Sequence, residues 1–320
     1  MIKAFAVSNY RSLKNVVSPL SGLNVVTGPN GCGKSNLYKS LRLLAETAKG
    51  NLISSIAQEG GLDYTFWAGP DNFTKGMREG SAPVQGSAKK QNARLRLGFV
   101  GEDFSYAVSL GMPAPQGFAG YQDPSMFQFD PEIKRECIWV GDVYRPSNCL
   151  IDRVGPVVKV RSGQKWAVYN THLNSYESIL NEISDPVAVP EVHAVRQTIR
   201  NWRFYDQFRT DTDSIIRTPQ IGTLRYLLLV AALLTPRPPS LLVLNEPETS
   251  LHPDLLPALG RLIIRASRET QVWVVSHALR LVATLEQDGE CNSIALNKEL
   301  GETIIQGQGL LDAPPWQWAD

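Results

Sequence analysis

The sequence predicts an α/β fold built around a phosphate-binding loop. Gly28-Pro29-Asn30-Gly31-Cys32-Gly33-Lys34-Ser35 fits G-x-x-x-x-G-K-[ST]. An apolar segment, Leu23-Asn24-Val25-Val26, precedes it as a buried strand, and Leu37, Leu41 and Leu44 follow at helical spacing. Two more apolar strands, Leu241–Leu244 and Val272–Val275, end in Asn245-Glu246 and Ser276-His277. In an open α/β sheet, ligands gather at the carboxyl ends of strands, so Lys34, Glu246 and His277 are expected at one site.

The chemistry of the loop follows from its residue types. Glycines let backbone N–H groups wrap an anion, and the helix N-terminus adds about half a positive charge. Lys34 would reach the β- and γ-phosphates, and Ser35 would offer its hydroxyl to Mg²⁺. By chance the pattern arises in on the order of one chain in a hundred of this length, given glycine usage of ~7%. The strand and helix around it make a mere glycine-rich turn the weaker reading.

The elements follow in order. Ile2 to Ser8 alternates apolar and polar residues as a first strand, and a second lies near Val16-Val17. Arg11, in the turn between them, is a candidate phosphate contact or a solvated turn residue. Gly60-Gly61 and Gly69-Pro70 close this block. Residues 71–91, rich in Gly, Ser, Lys and Pro, read as a mobile surface loop made locally basic by Lys75, Arg78, Lys89, Lys90 and Arg94. Arg94–Val100 and Phe104–Leu110 suggest a hairpin, followed by short strands up to Tyr169. Ser175–Ile183 and Val192–Phe208 look helical, with Arg196, Arg200 and Arg203 as either a basic stripe or an ordinary exposed face. Thr223–Leu234 is an apolar helix stopped by Pro236, Pro238 and Pro239. A last helix runs from Asp254 to about Ser267. The expected organisation is a discontinuous nucleotide-binding core, 1–70 and 223–320. An inserted lobe spans 71–222, β-rich over 94–170 and helical over 175–209.

Composition limits the function classes. The 320 residues carry a net charge of +1, so any nucleic-acid surface must be local. Cys32, Cys137, Cys149 and Cys291 form no C-x-x-C and read as free thiols of a reducing cytosol. The N-terminal residues lack a signal-peptide pattern, and the longest apolar run, Tyr226–Leu234, is too short to cross a bilayer. A cytoplasmic protein is expected.

GPNGCGKSN, LLVLNEPETSLHP and VWVVSHA, in that order, resemble the P-loop NTPase heads of the ATP-binding-cassette type, and within them the RecF-like and SMC-like predicted ATPases. The resemblance covers the N-terminal block and the last third. It implies ATP and Mg²⁺ as cofactors, with Gly28, Asn30, Gly31, Cys32, Gly33, Lys34, Ser35, Asn36 and Arg11 around the nucleotide. It implies Glu246 as the base that orients the attacking water and His277 as the switch histidine on the γ-phosphate. Ser35, and Asn245 through water, would hold the metal. Ser250 and His252 would face a partner head, and ATP would drive heads into a homodimer. DNA is the implied larger partner, in repair, maintenance or defence. No long heptad segment is present, so the extended arms of true SMC proteins are not expected.

Two departures from that pattern bear on activity. Asn245 stands where the family carries a metal-holding aspartate, which removes a charge beside a divalent cation. The signature segment before the apolar helix is reduced to Ile215-Ile216-Arg217-Thr218-Pro219-Gln220-Ile221-Gly222-Thr223, of which Gly222 and Thr223 alone resemble the motif. Two functions are therefore expected: an ATP-hydrolysing head, or a nucleotide-gated scaffold that binds ATP with negligible turnover. A transporter ATPase subunit or a small-molecule kinase explains fewer of the motifs.

Overall fold

A computed structural model describes residues 1–86, 93–113, 130–163, 165–206, 221–309 and 312–319. The chain starts with β1 (Ile2–Tyr10) and β2 (Leu13–Pro19), an antiparallel hairpin, and then β3 (Leu23–Thr27). Helices α1 (Lys34–Glu46) and α2 (Leu52–Gln58) follow, with short turns α3 (Leu62–Thr65) and α4 (Lys75–Arg78). A meander comes next: β4 (Leu95–Gly101), β5 (Ser105–Gly111), β6 (Glu132–Trp139), β7 (Cys149–Val154), β8 (Val157–Ser162) and β9 (Lys165–His172). Then come α5 (Ile179–Glu182), α6 (Pro190–Arg200), β10 (Trp202–Tyr205) and α7 (Ile221–Leu233). The last third holds β11 (Leu241–Asn245), α8 (Leu256–Ala266), β12 (Gln271–Val275), α9 (Leu279–Leu285), β13 (Cys291–Glu299) and β14 (Glu302–Ile305).

These strands make two sheets. One is antiparallel, in the order β2-β1-β4-β5-β6-β7-β8-β9; the other runs β10-β11-β12-β3-β13-β14 and is parallel except for β14. Side chains alternate across a strand, and the parallel sheet uses both faces. Val26, Val243, Trp273 and Val275 point into a core shared with α1 and β1, while Val25, Leu242, Leu244 and Val274 meet α8 and α9. Phe5 of β1 meets Trp273 edge-on at 5.9 Å, which joins the sheets. The Gln271 side chain locks this junction by pairing with both the N–H and the carbonyl of Ile2, at 2.9 and 2.7 Å.

The middle of the chain departs from its sequence reading. Residues 192–208 are not one helix: α6 ends at Arg200, and Trp202–Tyr205 is a parallel edge strand beside β11. Three aromatics in four residues suit a strand, and Trp202 packs on Phe99 at 5.5 Å. The expected hairpin is present as β4 and β5, but β4 pairs with β1, so strands of the expected insert continue the sheet begun by the N-terminus. Of the three arginines of the stripe, Arg196 alone is buried, while Arg200 and Arg203 are exposed. Arg196 is buried and donates to the Ile183 carbonyl, and Arg200 donates to Ala48 O at 2.9 Å. Within residues 71–86, α4 is a short helix capped by the Thr74 hydroxyl; Lys89 and Lys90 lie outside the described residues.

Glu136 and Arg153, both fully buried, pair at 2.6 Å and dock α5 on the antiparallel sheet. Glu136 also accepts from Tyr106 Oη, Ser178 Oγ and Ile179 N, so the buried carboxylate is fully served.

Candidate nucleotide site

The loop after β3 is held against β13 and β14. Gly28 and Gly33 adopt φ of 141° and 112°, conformations that favour glycine. A Cβ on Gly28 would lie 2.3 Å from Leu296 O, and one on Gly33 would lie 2.1 Å from Thr303 Oγ1. Thr303 also donates to Cys32 O at 2.8 Å, fixing the loop from behind. Asn30 and Gly31 stand exposed at the crown. Lys34, the first residue of α1, curls back over the loop. Its Nζ donates to Gly28 O at 2.6 Å and to Pro29 O at 3.1 Å, which holds a cation against the glycine loop. This is a cradle shaped for an anion.

Two expected nucleotide contacts are committed to protein partners. Asn36 Nδ2 donates to Ser12 Oγ at 2.8 Å. Arg11 pairs with Glu59 at 2.8 Å, its backbone at φ 50°. Both side chains shape the surroundings of the loop.

Strands β11, β12 and β3 are neighbours in one parallel sheet, so the segments carrying Glu246, His277 and Lys34 leave it at the same edge. Ser35 and Asn245 line one cavity of about 820 Å³, together with Tyr38, Lys39 and Asp206. A hydroxyl and an amide oxygen facing one cavity beside the anion cradle fit Mg²⁺, which takes oxygen ligands and keeps part of its coordination for substrate phosphates and water. Among the described residues no group of three or more His, Cys, Asp or Glu could hold a metal ion by itself. Replacing Asn245 with Asp is expected to restore a charge beside that position. A charge pair at 4 Å in a partly buried site is worth up to ~4 kcal/mol before desolvation. The Mg²⁺ titration midpoint for ATP binding should move to a concentration on the order of tenfold lower. An unmoved midpoint would show that the amide suffices.

Glu246 leaves the strand with φ 47°, its N–H still bonded to Val275 O at 2.8 Å. Its own carbonyl accepts from Arg225 Nη2 at 3.0 Å. His277 is exposed, with its backbone N–H on Glu248 Oε1 at 3.0 Å and its Nδ1 3.3 Å from the same oxygen. Ser250 is exposed at φ 67°, and its carbonyl lies 2.6 Å from where a Gly222 Cβ would stand. The start of α7 thus abuts the turn after β11. Thr223 and His252 are exposed, and His252 Nδ1 accepts from Asp254 N at 3.4 Å. Of the shortened signature stretch, Ile215 to Gln220 lie outside the described residues.

Sequence reasoning missed three residues here. Asp206 follows β10 at the carboxyl end of the sheet and takes bonds from Tyr38 and Arg42; the strand-end rule would have found it had 202–205 been read as a strand. Glu248 follows β11, and its Oε1 takes bonds from Ser276 Oγ and His277 N after β12, a link that no local pattern marks. Arg225, a charged residue within the apolar helix, is buried, 5% exposed.

Comparison with known proteins bears on this geometry. A family model described as AAA ATPase domain matches residues 1–218. The chain belongs to the AAA ATPase domain family. A second model of this AAA type, described as AAA domain, putative AbiEii toxin, Type IV TA system, matches residues 221–283, which include Glu246 and His277. This AAA ATPase domain is therefore a nucleotide-binding P-loop fold of mixed α/β type. No curated protein matches the chain. Among solved structures it is similar to an SMC head bound to the C-winged helix domain of ScpA, at 12% identity over 97% of this chain and 98% of that one, TM-score 0.43. It is similar also to the SMC head domain from Thermotoga maritima, at 11% identity over 97% and 99%, TM-score 0.40. An Smc head with an extended coiled coil, bound to the C-terminal domain of ScpA derived from Pyrococcus furiosus, gives 10% identity over 98% and 97%, TM-score 0.42. Among the described residues no helix is long and apolar enough to cross a membrane.

Proposed function

We propose that this chain binds ATP with Mg²⁺ and hydrolyses it at the γ-phosphate, as a RecF-like head in DNA maintenance or defence. The observation that carries this reading is the placement of Lys34, Glu246 and His277 just past the ends of adjoining strands β3, β11 and β12. Lys34 Nζ exchanges the Gly28 and Pro29 carbonyls for β- and γ-phosphate oxygens. Ser35, and Asn245 through water, would hold Mg²⁺, which supplies charge neutralisation of the phosphates. The Glu246 carboxylate accepts the proton of a water in line with the γ-phosphate, and His277 steadies the γ-oxygens. Catalysis is then mostly positioning and charge stabilisation.

A dimer of heads around ATP would run through Gly222, Thr223, Ser250 and His252, and the short signature stretch weakens it. With Arg196 buried, DNA contact falls to exposed basic residues such as Lys75, Arg78 and Arg203. The second reading, a scaffold that binds ATP with negligible turnover, is favoured by Asn245. The deciding experiment is phosphate release by the purified chain with Mg²⁺, with and without DNA, alongside anisotropy at low salt. Turnover that DNA stimulates, with binding that weakens steeply as salt rises, is the expected result. ATP binding without turnover would favour the scaffold, and no DNA association at low salt would remove the DNA role.

A further inference from the structure

The residues assigned to hydrolysis are themselves held by a buried acid and a buried base that no step uses. Glu248 is 8% exposed and Arg225 is 5% exposed. Glu248 Oε1 accepts from Ser276 Oγ at 2.8 Å and from His277 N at 3.0 Å, and His277 Nδ1 lies 3.3 Å away. From helix α7, Arg225 Nη2 donates to the carbonyl of Glu246 at 3.0 Å. The residue on which the acid rests is the switch histidine, and the one that the base holds is the hydrolytic carboxylate. Glu246 needs holding, since it sits at φ 47°, where a side chain costs backbone strain.

A burial this deep has a physical cost. Taking a carboxylate and a guanidinium out of water is unfavourable unless each is matched by charge and hydrogen bonds. Among the described residues, Glu248 Oε2 is buried without a hydrogen-bond partner. Such a group persists where surrounding structure or function keeps it. Burial pulls the Arg225 guanidinium below its ordinary value, while the Glu248 and Glu246 carboxylates act to raise it, which places both acids within its field.

We infer that Glu248 and Arg225 are positioning residues, forming a buried brace that sets His277 and Glu246 relative to each other and to helix α7. This rests on the hydrolytic reading above. Glu248 orients the His277 ring with Nδ1–H toward its own oxygen, which puts Nε2 on the γ-phosphate side, where it donates to a phosphate oxygen when the ring carries both protons. Arg225 holds the backbone turn that presents the Glu246 carboxylate. The brace also ties the hydrolytic residues to the helix whose first turn abuts Ser250, at the edge proposed to meet a second head.

The test is a double-mutant cycle with Glu248→Gln, Arg225→Met and the pair together. Glu248→Gln keeps an acceptor for Ser276 and His277 N but loses the negative charge whose field reaches Arg225. Each single variant is expected to lower kcat tenfold or more while KM for ATP stays within about threefold, and the pair to be no worse than either one. Unchanged kcat in both singles, or losses that simply multiply, would overturn the brace. A second readout is independent of turnover: ¹⁵N spectra of the histidines, with His277 assigned from His277→Gln. The parent should show His277 protonated at Nδ1, and Glu248→Ala should abolish that preference. A His277 tautomer indifferent to Glu248 would overturn the brace even in a protein that hydrolyses nothing. A parent without turnover would instead defeat the hydrolytic reading and leave the spectrum to decide the brace.

Discussion

Lys34→Ala is expected to weaken ATP binding by on the order of a hundredfold or more. Among the described residues the ammonium is the one side-chain cation bonded to the loop, resting on Gly28 O and Pro29 O at 2.6 and 3.1 Å. Bound ATP replaces those carbonyls with phosphate oxygens, and charge-assisted bonds of this kind contribute about 1.5–3 kcal/mol each. Two of them lost give about 3 kcal/mol at the low end. Calorimetry with ATP measures the loss, and thermal unfolding of the same variant checks that the core is intact. The site assignment fails if the affinity is unchanged, because no other described side chain is curled over the glycine loop in this way.

Glu246→Gln is expected to keep ATP binding and to lose turnover by on the order of 10²–10⁴-fold, the usual contribution of a positioned general base. The amide preserves size and the strand-end backbone, whose N–H stays on Val275 O and whose carbonyl stays on Arg225. Only the ability to take a proton from water goes. Single-turnover phosphate release, with ATP affinity measured in parallel, separates the two effects. Hydrolysis at the parental rate would move the base to another residue. The same variant traps ATP, so light scattering reads the second proposed property. Because Gly222 and Thr223 are all that resembles the signature segment, and Pro219 removes one N–H donor, the ATP-bound variant is expected to remain largely monomeric. A stable ATP-dependent dimer would show that the start of α7 serves as the cap.

Legibility followed the range of the interaction concerned. The glycine loop, the apolar β3, β11 and β12, and the polar residues at their ends were readable because each is a short pattern whose meaning lies within ten residues. Their meeting was readable too, since parallel strands deliver their carboxyl ends to one side. The cradle's fastening was not, because Thr303 and Leu296 approach Gly33 and Gly28 from about 270 residues away in the chain.

By itself the sequence determined the α/β class, the phosphate loop with Lys34 and Ser35, and the candidate pair Glu246 and His277. These rest on backbone chemistry and on periods of two and 3.6, which are local. The tertiary structure alone decided that Trp202–Tyr205 is a strand, because a segment of three aromatics takes the conformation of the neighbour it pairs with, here β11. It alone joined β1 to β4, a pairing no local pattern encodes. It alone separated the arginines, burying Arg196 and Arg225 and sending Arg11 to Glu59. A charged side chain reads the same in sequence whether it faces water or a buried carboxylate. Its role is set by the dielectric and the partner that the fold provides.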